Sequence, residues 1–197
     1  MTSARPYHHG NLRQAVLDRA AEVLRERGAA SLSLREVTAD IGVSHAAPRR
    51  YFADRQALLD ALAADGFARL GLRLREAVES APTFGDQVRA IADVYVAFAV
   101  SEANLLELMY AHGRGGDGPL VEARATEAFT PLLDVFRRDQ ARARRAPGEA
   151  ERTGTLFLAT LQGIAGLASC GVVAADQLDG LVDEAVARYG TGSAAAS

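Results

Sequence analysis

Apolar positions recur along this chain three and four residues apart, and no stretch alternates apolar with polar residues for the length of a strand. Ala, Leu, Arg and Glu fill the periodic segments while β-branched residues are sparse, so the pattern predicts an all-α protein. The first helix is expected from about Asn11 to Arg27, with Leu12, Ala15, Val16, Ala20, Val23 and Leu24 as its apolar stripe and Gly28 at its end. Ser33-Leu34-Arg35-Glu36 has the form of a capping box, in which Ser33 accepts from the Glu36 amide and the Glu36 carboxylate returns to the Ser33 amide. It opens a short second helix that closes at Ile41. Gly42-Val43 makes a tight turn, Ser44 caps a third helix through about Phe52, and Asp54 caps a long fourth helix that Pro82 stops near Ser80.

Further helices follow at about Phe84 to Val100, Asn104 to Tyr110, Leu120 to Arg144, Glu149 to Ser169 and Asp176 to Tyr189. Gly113 to Pro119 and Ala146-Pro147-Gly148 mark the longer connections, and the tail from Gly190 to Ser197 is small and polar. Thr153 to Ala175 is a run of 23 uncharged residues, long enough to cross a bilayer. Its glycines, threonines, Gln162 and Ser169 dilute the apolar content. A helix apolar on all sides is better read as buried twice, once against its own domain and once against a second copy. Gly163 and Gly166 would permit close approach there, and Leu178, Leu181, Val182 and Val186 add a second stripe on the last helix. No membrane association is expected.

Composition narrows the class. Of 197 residues, 49% are hydrophobic and 24% charged, enough apolar material for a substantial core. Cys170 is the single cysteine, which excludes an intramolecular disulfide and fits a reducing cytoplasm. The first residues, MTSARPYHHGNLRQ, have no apolar signal-peptide core. A net charge of −3 argues mildly against a nucleic-acid partner until its distribution is considered. Residues 1–60 hold nine arginines against seven acids, whereas the rest holds thirteen against eighteen. Between Ser44 and Arg55, Arg49, Arg50 and Arg55 face only Asp54, with His45 beside them. A basic patch on an acidic protein attracts a polyanion at one place.

Helices at 34–41 and 45–52 joined by a glycine turn are the sequence form of a helix-turn-helix. Val37, Ile41, Val43, Ala47 and Phe52 occupy the positions that must point inward, which leaves His45, Ala46, Arg49 and Arg50 outward. Arginine can make a bidentate contact to guanine in the major groove, and small residues let the backbone approach. Charged pairs on helices are commonly just a solvated face; within this motif the DNA reading prevails. Pro48, counted from Ser44 as cap, falls at the fourth helical position and should forfeit only one hydrogen bond.

The block from Leu12 to Phe67, above all LSLREVTADIGVSHAAPRRYFADRQALLDAL, resembles the N-terminal DNA-binding domain of the TetR family of bacterial transcriptional regulators. The resemblance implies a homodimeric, all-helical repressor: residues 1–55 as the helix-turn-helix domain, a linking helix at about 54–80, and residues 56–197 as a ligand-binding and dimerisation domain. It implies a palindromic double-stranded DNA operator, a dimer joined through about 149–189, and release by a small molecule. Carried over by position, His45, Ala46, Ala47 and Arg50 lie near base edges, Arg49, Tyr51 and Arg55 contact phosphates, Ser44 sets a helix N-terminus beside the backbone, and Arg35 touches backbone or base. Many family members have tyrosine where this chain has Arg49, so the operator cannot be borrowed from a relative. SEANLLELMY and LQGIAGLASCG are similar to a subgroup named for a Trp-His-Gly signature, although Gln162-Gly163 stands in its place and the chain lacks tryptophan.

No cofactor or metal is expected, because the four histidines form no ligand-spaced pair, and no phosphate loop or nucleophile elbow points to an enzyme. Tyr95, Phe98, Asn104, Leu105, Met109, Tyr110, Phe129, Leu133 and Phe136 are the candidate lining of an effector pocket for a hydrophobic or aromatic molecule, with Asn104 or His112 as polar handle. The alternative is a helical homodimer that serves only as a protein-interaction module.

Overall fold

A computed structural model describes residues 12–44, 47–112, 119–143 and 148–191, without the side chains of Ala47 and Ala143. Asn11, His45, Ala46 and Arg144 therefore lie outside the described residues, as do the connections at 113–118 and 144–147. The described chain is helical throughout: α1 (Leu12–Arg27), α2 (Leu34–Asp40), α3 (Arg55–Ser80), α4 (Phe84–Ser101), α5 (Ala103–His112), α6 (Pro119–Ala143), α7 (Glu149–Ser169) and α8 (Ala175–Tyr189). Two short 3-10 turns, Ala29–Ser31 and Ala47–Arg50, complete it. The chain divides into two compact units, residues 1–65 with 104–121 and residues 66–103 with 122–197.

In the first unit α1 packs on α2 and on both 3-10 turns. Val16, Ala20, Val23 and Leu24 of α1 are buried as the periodicity predicts, and Leu17 joins them while Ala15 stays half-buried. Val37, Phe52, Leu58, Leu59 and Leu62 complete this core. Gly28 ends α1 at φ 75° and Gly42 turns the chain at φ 70°, a conformation that L side chains adopt only with strain. Ile41 and Val43 are half-buried rather than fully enclosed.

Two local expectations need correction. Ser33 stands at the N-cap of α2 with extended backbone, but its side chain makes no cap hydrogen bond, so the capping box does not form. The helix is started by the Ser33 carbonyl, which accepts from the Val37 amide at 3.0 Å, and is pinned by the burial of Val37 and Thr38. The third helix departs from expectation among the described residues: these form the single 3-10 turn Ala47–Arg50, and the chain has left the helix before Phe52. The Pro48 carbonyl accepts from the amides of both Tyr51, at 2.8 Å, and Phe52, at 2.9 Å. Proline stands second in that turn, where an amide would have no partner within the turn, so its missing N–H forfeits no bond there. Asp54 caps α3 as predicted, its Oδ1 accepting from the Ala57 amide at 2.9 Å.

In the second unit α4 packs on α7 and α8, and α7 on α8. Thr83 caps α4 by accepting from the Asp86 amide at 3.2 Å. Phe84, Phe136, Phe157 and Tyr189 form a chain of ring contacts with centroids 5.7, 5.7 and 5.3 Å apart, joining α4, α6, α7 and α8. Phe67 meets Phe129 edge-on at 6.2 Å, and Gly71 lies where an added Cβ would be 2.8 Å from the Ala128 Cα. α3 and α6 thus touch at backbone distance. None of the helices among the described residues is long and apolar enough to cross a membrane, which removes the bilayer reading of Thr153 to Ala175.

Candidate nucleic-acid interface

The turn on Gly42, the burial of Val37 and Phe52, and the Pro48 carbonyl bonds together fix the short segment that carries the arginine pair. Phe52 is 1% exposed, and the Arg13 guanidinium lies 5.8 Å above its ring. With Phe52 inward and Pro48 buried, Arg49 and Arg50 are exposed, and neither makes an ion pair with any described residue. Both guanidinium groups are therefore available to an external anion.

The two arginines differ in surroundings. Arg49 lines a groove with a volume of about 530 Å3 that also takes in Ser33, Arg35, Asp54 and Arg55. Three guanidinium groups against one carboxylate, itself engaged as the α3 cap, give that groove a net positive lining. Such a lining favours a phosphate oxygen, for which arginine offers a fork of N–H donors. Arg50 is absent from the groove wall. Its guanidinium lies 4.6 Å from the centroid of the Tyr51 ring, which is 41% exposed.

Arg55 is also engaged within the chain. Its Nε donates to the Leu32 carbonyl at 2.8 Å and its Nη2 to the Ala29 carbonyl at 2.6 Å, so two donors close the 3-10 turn that precedes α2. Arg19 ties α1 to the end of α2 through Asp40 at 2.9 Å and also pairs with Glu22. Those two carboxylates raise the Arg19 pKa through their hydrogen bonds, the Glu22 bond contributing most. Of the remaining expected contacts, Arg35 and Ser44 are exposed, His45 and Ala46 lie outside the described residues, and the side chain of Ala47 is likewise outside them. Sequence reasoning missed both clamps: Arg55 donates to backbone carbonyls, which leave no mark on residue type, and Arg19 meets a carboxylate 21 positions away on another helix.

The expected effector residues are distributed over both units. Tyr95 and Phe98 are fully buried in the second, where the Tyr95 hydroxyl donates to Gln162 Oε1 and Arg73 lies 5.7 Å above the Phe98 ring. Phe129 and Leu133 are half-buried and Phe136 belongs to the ring chain. Leu105, Met109 and Tyr110 belong to the first unit, with Leu105 and Met109 buried. Asn104, expected as a polar handle, donates its Nδ2 to the carbonyls of Leu24 and Arg25, each at 3.1 Å, and so caps the end of α1. His112 approaches the Leu108 carbonyl with Nδ1 at 3.0 Å and Asp60 with Nε2 at 3.9 Å.

α7 presents an outward face of small and apolar residues. Leu156 is 54% exposed and Leu167 45%, and an added Cβ at Gly163 or Gly166 would meet no atom within 4 Å. The stripe expected on α8 is largely consumed within the chain: Val182 is buried and Leu178, Leu181 and Val186 are half-buried.

A glycine turn between short helical segments, an unpaired arginine pair on the second and a longer helical unit beyond define a helix-turn-helix protein of the DNA-binding class. Residues 16–62 match the family profile described as bacterial regulatory proteins, tetR family, and residues 88–189 match the tetracyclin repressor-like C-terminal domain. The chain belongs to the tetR family, whose members are DNA-binding transcriptional regulators rather than enzymes. It is similar to a solved structure from Rhodococcus sp. RHA1, described as a protein with unknown function, at 38% identity over 95% of this chain and 97% of that one, with a TM-score of 0.86. The fold is shared with the transcriptional regulator FadR from Bacillus subtilis in complex with stearoyl-CoA, at 13% identity, 91% and 98% coverage and a TM-score of 0.69. Among curated proteins it is similar to the nucleoid occlusion factor SlmA of Pasteurella multocida (strain Pm70), 27% identical over 121 residues. That match spans 61% of this chain and 61% of the relative.

Proposed function

We propose that this chain is a homodimeric repressor that binds a palindromic operator and is released by a small hydrophobic or aromatic effector. The observation that carries the DNA-binding part is the pair of exposed, unpaired guanidinium groups just beyond the Gly42 turn, one of them in a groove that also holds Arg35 and Arg55. In this reading Arg49 and Arg35 engage phosphates and Arg50 reads a base edge, with His45, Ala46 and Ala47 beside it. Ser44 stands next to the backbone.

Two copies would place their reading segments in successive major grooves, about 34 Å apart. The outward α7 face, with open space at Gly163 and Gly166, supports pairing of copies through about 149–189. An effector would act by binding the two conformations of the dimer with different affinity, since equal affinity shifts nothing. The apolar interior around Tyr95 and Phe98 favours a hydrophobic effector. The FadR structure supports the fold only.

The test is a fluorescence-anisotropy titration against duplexes from the DNA flanking the gene and against scrambled duplexes of equal length. Operator binding should exceed scrambled binding by about a thousandfold or more at physiological salt. A correctly folded dimer that binds both equally would favour the protein-interaction module instead. Sedimentation of Gly163→Leu tests the pairing face: a dimeric wild type and a monomeric variant are expected, and a monomeric wild type refutes it.

A further inference from the structure

Arg49 and Arg50 are sequence neighbours, yet the structure gives them different partners, and the difference turns on Tyr51. The Tyr51 and Phe52 amides both donate to the Pro48 carbonyl, and Phe52 is fixed in the core, so the backbone that carries the tyrosine ring is held on both sides. The ring itself remains 41% exposed and carries the Arg50 guanidinium on its face at 4.6 Å. No carboxylate among the described residues pairs with Arg50. Arg49, without an aromatic partner, faces the groove shared with Arg35 and Arg55.

A guanidinium stacked on an aromatic face is attracted to the ring's negative quadrupole and loses freedom to rotate out of plane. Its N–H donors lie in its own plane, so stacking blocks one face and leaves the donor edge open. That edge is what a bidentate contact to guanine O6 and N7 requires. An unstacked arginine suits a phosphate, which accepts donors from many directions.

From this geometry we propose that Tyr51 is a positioning residue for Arg50, and that the sequence preference of the protein depends on the Tyr51 ring rather than on its hydroxyl. The inference rests on the DNA-reading function proposed above. It replaces the expected role of Tyr51 as a phosphate contact: the ring acts through Arg50, which reads the base, while Arg49 supplies the electrostatic, sequence-independent part of binding.

The experiment compares wild type, Arg50→Ala, Tyr51→Leu, Tyr51→Phe and the Arg50→Ala/Tyr51→Leu double variant, each verified by thermal melting. Affinity is measured on flanking and scrambled duplexes across a salt series. Tyr51→Leu should lower the preference for the specific duplex by about twofold to fivefold per half-site, the range of an exposed cation–π contact, with an unchanged salt slope. Tyr51→Phe, which keeps the ring, should retain the wild-type preference. The double variant should discriminate no worse than Arg50→Ala alone. Equal losses for Tyr51→Leu and Tyr51→Phe on both duplexes would return the hydroxyl to a phosphate and overturn the proposal. Unaltered discrimination in Tyr51→Leu or in Arg50→Ala would overturn it while leaving the regulator reading intact. A wild type that does not discriminate at all would remove that reading and the inference with it.

Discussion

Replacing Gly71 by alanine separates what helix propensity dictates from what packing dictates. Gly71 lies in the middle of α3, where glycine-to-alanine exchange would by propensity alone stabilise the helix by about 1 kcal/mol. The new Cβ, however, would stand 2.8 Å from the Ala128 Cα and 3.3 Å from its Cβ. Carbon atoms at their optimal contact sit at least about 3.5 Å apart, so the backbone of α6 would have to retreat by about 0.7 Å. A backbone cannot swing aside as a flexible side chain does. Leu70 and Leu74 flank the site fully buried, and the Phe67–Phe129 edge contact joins the same two helices. Overpacking costs about 1–3 kcal/mol, and a clash against backbone belongs in the upper part of that range, about 2–3 kcal/mol, so the net expectation is a loss of about 1–2 kcal/mol after the propensity gain of about 1 kcal/mol. Gly180, inside α8, meets nothing within 4 Å and serves as the control, expected to gain about 0.5–1 kcal/mol on substitution by alanine. Urea unfolding followed by circular dichroism reads both as midpoint shifts of opposite sign. A Gly71→Ala protein as stable as wild type, beside a stabilised Gly180→Ala, would show that α3 and α6 are not in backbone contact.

The other predictions concern clamps. Asn104→Ala should cost about 1 kcal/mol, because the Leu24 carbonyl keeps its bond from the Gly28 amide while Arg25 loses the asparagine; no change in the unfolding midpoint would refute the cap. Arg55→Ala should lower stability by about 1–3 kcal/mol while leaving the salt slope of DNA binding almost as steep as wild type, and a shallower slope at unchanged stability would make Arg55 a phosphate contact after all. Glu151 accepts from Arg137 at 2.9 Å, and that bond is the main cause of its lowered pKa. A carboxylate whose folded pKa is depressed contributes stability above its unfolded pKa and loses it as pH falls through the folded value. Wild type should therefore exceed Glu151→Gln in stability at neutral pH, and the gap should close on acidification below the carboxylate range. A gap that persists there would be inconsistent with the pairing.

How much could be read from the chain depended on whether the determinant was local. Gly28, Gly42 and Asp54 announce a helix end, a turn and a helix start through properties of single residues, and all three do in the structure what the sequence predicts. The span Glu149–Ser169 follows from periodicity and a preceding proline-glycine pair. The capping box at Ser33 has the right residues and still does not form, since burial of Val37 and Thr38 sets that helix without it. Arg55 and Asn104 read in the sequence as contacts to phosphate and effector, and their part as internal clamps was not legible. Their acceptors are backbone carbonyls 26 and 80 positions away, which any residue type can provide, so nothing in the sequence marks them. Of the candidate interface, the arginine pair and its expected split into Arg49 toward phosphate and Arg50 toward a base were legible through the resemblance, whereas the groove around Arg49 and the Tyr51 ring beneath Arg50 needed coordinates.

The two units are held together by different physics, and the difference bears on where the molecule yields first. The second unit joins its helices through a chain of four rings and fully buried aromatics at Phe98, Phe157 and Tyr95. The first has a smaller core, in which α2 is a helix of 7 residues and the described part of the arginine-bearing segment is a single 3-10 turn. Helices that short are not stable alone, because nucleation is costly and few bonds repay it. Arg19 fastens α2 to α1 through Asp40, Arg55 fastens the 3-10 turn before α2 to α3, and Asn104 joins α5 to the end of α1. Polar clamps of this kind hold direction well but contribute little net free energy each, about 0.5–3 kcal/mol. The arginine-bearing segment itself is held by the Pro48 carbonyl bonds and the burial of Phe52, so a unit built of such short pieces belongs at the low-stability end of the molecule while its arginine pair stays exposed. That combination is what the proposed function requires of a surface that matches a duplex closely and is displaced when an effector changes the balance of states.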